Sequence, residues 1–317
     1  MQDNWPDTRI TWIIGKTEAS LMADIPEIEF IIFDKSIGRR AYTEVHAQLS
    51  GHKFDVALCM HASMRANFLC RSVRTRVRLG FDYVRARDFQ WLFTNRRITA
   101  TTGEHALEAM MSFATAIGAQ TRSIRWDIPL SEQARQFAAQ YCAGGKPLVL
   151  ISPCSSERSR NYRNWSVDNY AAIVRHLRAR GIRVVLTGGR SELEAKYGKT
   201  LAADGAAVNL IGKTSLKELV ALIDAAALVI CPDSGPAHMA TSVGTPVLGL
   251  YATSNPDRTG PFFSRELTVN RYPEATHRYL GKSVEQLKWG RRVRHPEAMA
   301  LITIDDVTDK IDTFFDI

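Results

Sequence analysis

The chain has 317 residues, 45% of them apolar and 23% charged, with a formal charge of +8. This is an ordinary globular composition, and no run of about 18 uncharged apolar residues is present to cross a bilayer. The opening, MQDNWPDTRITW, lacks the basic-then-apolar order of a secretion signal. Cys59, Cys70, Cys142, Cys154 and Cys231 fall in no CxxC or metal-like spacing, so a cytoplasmic protein with free thiols is expected.

The length suggests two domains. In chain order, RITWII (9–14), EFIIF (29–33), FDVALC (54–59) and RVRLGF (76–81) read as strands, and residues 103–118 as a helix ending at Gly118. Residues 119–146 are polar, contain Pro129, Gly144 and Gly145, are followed by Pro147, and include a short helix near 131–142. The domain linker is placed there, giving domains 1–128 and 129–317.

The second half is more regular. PLVLIS (147–152) is a strand. Ser166 caps a helix whose Tyr170, Ile173, Val174 and Leu177 follow the helical period, and Gly181 ends it. IRVVLT (182–187), a helix with Leu193, and AVNLI (207–211) follow. Ser215 and Glu218 then form a capping box before Leu216, Leu219, Val220 and Ile223. ALVI (227–230), a helix from about Pro236, and PVLGLY (246–251) complete the alternation. A last helix, about 305–315, is expected to pack back on the first domain. Strands that are continuous apolar runs, alternating with helices, indicate an α/β fold with parallel sheets covered on both faces.

In such sheets ligands sit beyond the carboxyl ends of the strands. Asp233-Ser234-Gly235 falls at one such end, just as a helix begins. Amides at Ser234 and Gly235, with the positive end of the helix dipole, suit a phosphate, and His238 lies one turn further on. The plainer reading makes Asp233 or Ser234 a helix cap and His238 a packing residue. After VLIS come Arg158, Arg160 and Arg163, whose guanidinium forks match phosphate oxygens; a solvated loop is the alternative. After VVLT, Gly188-Gly189 precede Glu192, which suits ribose hydroxyls or, equally, the acidic first turn of a helix. After LGLY, a polar loop holds Thr253, Ser254 and Gly260. Four loops offering amides, an arginine and a carboxylate on one edge describe a nucleotide-diphosphate site. The P-loop, GxGxxG, HExxH and GxSxG patterns are missing, and without a DxD pair no metal is expected to hold the diphosphate.

The stretch CPDSGPAHMATSVGTPVLGLYATSNPDRTGP (231–261) resembles the family 9 glycosyltransferases, the ADP-heptose lipopolysaccharide heptosyltransferases. LVLISPCSSERSRNYRNWSVDNYAAI and VVLTGGRSELE add to the likeness, and RARDFQWLFTNRR (85–97) resembles a segment of heptosyltransferase I enzymes. The resemblance implies a GT-B fold of two Rossmann-like domains. The C-terminal one binds the nucleotide sugar, the N-terminal one the acceptor, and transfer is inverting and metal-independent. It places Arg163, Glu192 (or Glu194), Asp233, Ser234, Gly235 and His238 at the donor and Arg65 at the acceptor. Arg163 stands where the family often has lysine. ADP-heptose is then the donor substrate, no separate cofactor is implied, and the acceptor is the anionic Kdo inner core. Family members usually open with a strand, a Gly-Asp loop and a helix, the loop Asp being the expected general base. Here the first residues resemble the entry to the second strand, so the N-terminal domain is expected to lack its first strand. No catalytic residue is assigned.

Residues 65–97 hold nine arginines against Asp82 and Asp88. Such a segment attracts polyanions, and Arg65 and Arg87 are taken as acceptor-binding, with peripheral contact at the inner-membrane surface. Two other functions compete: a nucleotide-sugar-binding relative without turnover, and a nucleic-acid binder. The second is disfavoured because aromatic residues are not interleaved as stacking platforms.

Overall fold

In the computed structural model, residues 1–120, 124–142, 145–155 and 161–316 are described. They divide into two units, residues 1–129 and 130–317. In the first, β1 (Ile10–Gly15), α1 (Lys16–Met22), β2 (Ile28–Phe33), α2 (Arg40–Leu49), β3 (Phe54–Leu58), α3 (Met64–Ser72), β4 (Thr75–Gly80), β5 (Arg96–Arg97) and α4 (Ala106–Ala116) follow in order. The second begins with α5 (Glu132–Cys142), β6 (Leu148–Ile151), α6 (Val167–Ala179), β7 (Arg183–Leu186), α7 (Glu192–Leu201) and β8 (Val208–Asn209). It continues with α8 (Leu216–Asp224), β9 (Leu228–Pro232), α9 (Gly235–Val243), β10 (Val247–Tyr251), α10 (Pro256–Thr259), β11 (Val269–Asn270), α11 (Tyr272–Leu280) and α12 (Ile304–Phe315).

In the second unit the apolar runs become the middle of one parallel sheet, in the order β11-β10-β9-β6-β7-β8. Every residue of β6, β9 and β10 is buried. Side chains alternate between two cores, as the strand period requires. Val149, Ile151, Ile230 and Leu248 meet α6, α7, α11 and α12. Leu150, Val229 and Val247 meet α5, α8 and α9 on the other face. The expected caps form locally: Ser166 Oγ accepts from the Asn169 amide, and Ser215 and Glu218 close a capping box. The helix within the proposed linker, α5, packs against α8.

The terminal helix, α12, packs on α6 of the second unit. Val307 and Ile311 are fully buried there, and Asp312 takes hydrogen bonds from His176 (2.6 Å) and Arg180 (3.0 Å). An amphipathic stripe shows that a helix docks, not which surface receives it.

The first unit is built differently. Its strands form two parallel sheets, β1-β2 and β3-β4-β5. Helix α2 supplies Ala41, Val45 and Leu49 to a cluster with Ile31 and Phe33, and Ile13 of β1 and Phe54 of β3 pack against that same cluster. Among the described residues β1 pairs with β2 alone, and β3 with β4 alone, so each keeps an open edge. Most residues of β1 and β3 are only partly buried.

Candidate functional site

Because all six strands of the second sheet are parallel, their carboxyl ends lie along one edge, and β10, β9, β6 and β7 are consecutive there. The loops that follow them are tied to one another. Trp165 fixes the loop after β6: it is 1% exposed, its indole N–H donates to the Ile302 carbonyl at 3.0 Å, and its own carbonyl accepts from Tyr197 Oη at 2.7 Å. Four residues before Trp165, Asn161 Oδ1 accepts from Arg163 Nε at 3.0 Å. So held, Arg163 Nη1 donates to the Asp233 carbonyl at 2.8 Å and joins the loops after β6 and β9.

Asp233 immediately follows β9 and is 5% exposed. Its Oδ2 lies 3.6 Å from Arg163 Nη1 and 3.5 Å from Arg292 Nη2, and it accepts no closer hydrogen bond. Ser234 occupies the N-cap position of α9 without capping it, since its Oγ donates instead to the Pro232 carbonyl at 3.0 Å. The helix start is therefore not closed by a side chain. At Gly235 an added Cβ would meet nothing within 4 Å, so the backbone there faces open space. Open amides at a helix N-terminus beside two arginines suit an anion.

His238, one turn into α9, presents its side chain at the surface. Enough protein surrounds the ring that desolvation lowers its pKa, while the nearby Asp233 charge raises it in part. Two further buried hydroxyls, Thr187 Oγ1 after β7 and Ser254 Oγ after β10, have no hydrogen-bond partner in the structure. Buried hydroxyls without partners at the tips of a ligand-binding edge are groups a bound ligand or water can satisfy.

The two acidic candidates after Gly188-Gly189 are separated by geometry. Glu194 is consumed by structure: its carboxylate accepts from the Gly189 amide at 2.7 Å and from Ser191 Oγ at 2.8 Å, closing the capping box of α7. Glu192, the first residue of α7, is exposed. Arg65, on the first turn of α3, and Arg87, in the loop after β4, are both exposed in the first unit. Arg158 and Arg160 lie outside the described residues.

Arg292 is the residue that sequence reasoning misses. It belongs to a segment, GRRVRH (290–295), with no periodic pattern. What positions it is long-range: Val293 is buried, and its amide donates to the Thr253 carbonyl at 2.9 Å, which lays the segment across the tip of β10.

The sequence profile of glycosyltransferase family 9 (heptosyltransferase) matches residues 42–288, most of the chain. The chain belongs to glycosyltransferase family 9. The lipopolysaccharide core heptosyltransferase OpsX of Haemophilus influenzae is 36% identical over 97% of this chain and 88% of its own length. Lipopolysaccharide heptosyltransferase 1 of Escherichia coli K12 is 22% identical over 72% of this chain and 69% of its own, so the likeness of residues 85–97 to heptosyltransferase I belongs to a more distant relative. The structure of E. coli heptosyltransferase WaaC with ADP superposes with a TM-score of 0.72 at 16% identity, covering 99% of this chain and 92% of that one. The family 9 chain thus has the α/β GT-B fold with parallel sheets and is a glycosyltransferase of the heptosyltransferase family.

Proposed function

We propose that this family 9 enzyme transfers a heptose from ADP-heptose to the inner core of lipopolysaccharide, inverting the anomeric centre without a metal. The observation that carries the reading is the Arg163–Asp233 link across two strand tips, beside the uncapped start of α9. It gives a pyrophosphate two guanidiniums and open helix amides. The named relatives point to the rest: OpsX acts on the lipopolysaccharide core, and WaaC is seen with ADP.

In this mechanism the acceptor hydroxyl attacks the anomeric carbon as ADP departs. The sugar gains oxocarbenium character and negative charge grows on the diphosphate. Arg163, Arg292 and the α9 amides stabilise that charge, and they do so because they are fixed before the reaction begins. Glu192 contacts ribose, His238 the phosphates, and Arg65 and Arg87 the anionic Kdo acceptor. The enzyme works in the cytoplasm, at the inner face of the inner membrane.

A second reading keeps the donor site but not turnover. The open edges of β1 and β3 in the first unit favour it, since strands with an unpaired edge hold an acceptor loosely. Titration of ADP by calorimetry tests the donor site: Arg163→Ala weakens binding about tenfold or more, as expected for loss of a charge-assisted contact. Unchanged affinity removes Arg163 from the site. An assay with ADP-heptose and Kdo-lipid A then separates enzyme from binder, because the binder retains ADP affinity and forms no product.

A further inference from the structure

The first unit holds two cysteines that the transfer chemistry does not use. Cys59 immediately follows β3 and is buried, while Cys70 lies in the last turns of α3 and is partly exposed. Their spacing in the sequence signals nothing, because the crossover from β3 through α3 to β4 brings them together. Consecutive residues of β4 hold both. The Leu79 carbonyl accepts from the Cys59 amide at 2.8 Å, and Arg78 Nε donates to the Cys70 carbonyl at 3.1 Å. A second bond, from Arg78 Nη2 to the Val73 carbonyl at 2.8 Å, pins the end of α3 against the strand. The fully buried Gln90 also fixes Cys59, donating to its carbonyl at 2.8 Å. Within this clamp the two thiols share a hydrogen bond, with Cys59 as the donor.

The pair is asymmetric. The hydrogen bond from Cys59 favours the thiolate of Cys70 and lowers its pKa, and the Arg78 charge acts in the same sense. That charge also offsets the negative end of the α3 dipole, which disfavours a thiolate. Cys59 is pushed upward, first by donating that bond and then by burial. A partly exposed thiolate beside a buried thiol is the arrangement of an attacking and a resolving cysteine. The cysteines of the second unit differ. Cys154 and Cys231 are buried and pushed up to about 12, chiefly by desolvation, and burial raises Cys142 as well.

We propose that Cys59 and Cys70 form a reversible disulfide by exchange with a low-molecular-weight disulfide such as glutathione disulfide. The Cys70 thiolate attacks one sulfur of the reagent, and the first glutathione leaves. Cys59 then gives up its proton and attacks the Cys70 sulfur of the mixed disulfide, expelling the second glutathione. Two protein thiols are oxidised, one disulfide is reduced to two thiols, and the two protons pass to the released glutathiones. The product closes residues 59–70 into a loop. It ties α3, which carries Arg65 on its first turn, to the tip of β3.

Peptide mapping of the full chain tests this. Trypsin cuts after Lys53, Arg65 and Arg71, so Cys59 falls in FDVALCMHASMR (54–65) and Cys70 in ANFLCR (66–71). After incubation with glutathione disulfide, acid quench and alkylation, digestion yields these two peptides joined, and dithiothreitol separates them. Before oxidation, iodoacetamide labels Cys70 at least about tenfold faster than Cys59, since the thiolate is the nucleophile and burial shields its partner. Cys59→Ser stops the reaction at one glutathionyl group on Cys70, and Cys70→Ser leaves Cys59 unmodified. The oxidised chain melts a few degrees higher than the reduced one, because the closed loop restricts the unfolded chain. Absence of the joined peptide overturns the proposal, as does glutathionylation of Cys59 in the Cys70→Ser variant. Faster labelling of Cys59 in the unaltered chain also overturns it, and that measurement needs no variant to fold. Neither sugar donor nor acceptor takes part, so the result stands apart from the heptosyl-transfer reading.

Discussion

The two units answer the same folding problem with different degrees of closure. In the second, β6, β9 and β10 are buried along their whole length between two layers of helices. In the first, β1 and β3 expose open edges, and Trp12 and Ile32 on the β1-β2 pair are 41% and 47% accessible. The difference teaches where rigidity is concentrated. The proposed diphosphate site needs amides and guanidiniums held in place before the ligand arrives, and it stands on the closed sheet. The proposed acceptor residues, Arg65 and Arg87, belong to the open one.

Hydrogen exchange is the strongest way to break this comparison. Amides in β6 and β9 exchange about a thousandfold or more slowly than those in β1 and β3, because local opening is easiest where few apolar contacts must be lost. Equal protection in both sheets would show that the open edges carry no energetic meaning. Side-chain truncation sharpens the contrast at a smaller scale. Leu150→Ala, in a fully buried strand, costs about 2–5 kcal/mol in urea unfolding, whereas Ile32→Ala costs about 0.5 kcal/mol or less. A large cost at Ile32 would mean that its face is covered in solution.

The smallest effect concerns His238. Its pKa is lowered in the free protein, mainly by desolvation, so the ring is largely neutral at pH 7. A diphosphate beside it favours the charged form and raises the pKa again. ADP binding therefore takes up a proton, and affinity grows a few-fold as pH falls from about 8 to about 6. The sign for folding is opposite. A lowered folded-state pKa gives stability that is present above about 6.5 and declines as pH falls below it. Calorimetry in buffers of different ionisation enthalpy measures the proton uptake, and His238→Gln abolishes it. Uptake unchanged in that variant places the proton on another group.

Much of the second unit is legible in the residues because its signals are short. Ser166, and the Ser215 and Glu218 pair, mark helix starts through contacts three residues apart. Asp233-Ser234-Gly235 marks a strand end with a helix start, and the structure places it there. Other choices depend on turn geometry. Glu192 and Glu194 look alike in the sequence, yet the reach of a capping box commits Glu194 and leaves Glu192 exposed.

What the sequence determined by itself was the alternation of strands and helices, the parallel sheets that follow from it, and the phosphate-suited turn at Gly235. These rest on periodicity, caps and chain direction, all set within a few residues. Only the tertiary structure decided that Arg163 reaches the Asp233 carbonyl across 70 residues, that Arg292 faces the same carboxylate, that α12 docks on α6, and that the first unit splits into two sheets. The reason is physical: local spacing fixes which face of an element is apolar, while the order of strands and the register of distant loops depend on which apolar faces find each other.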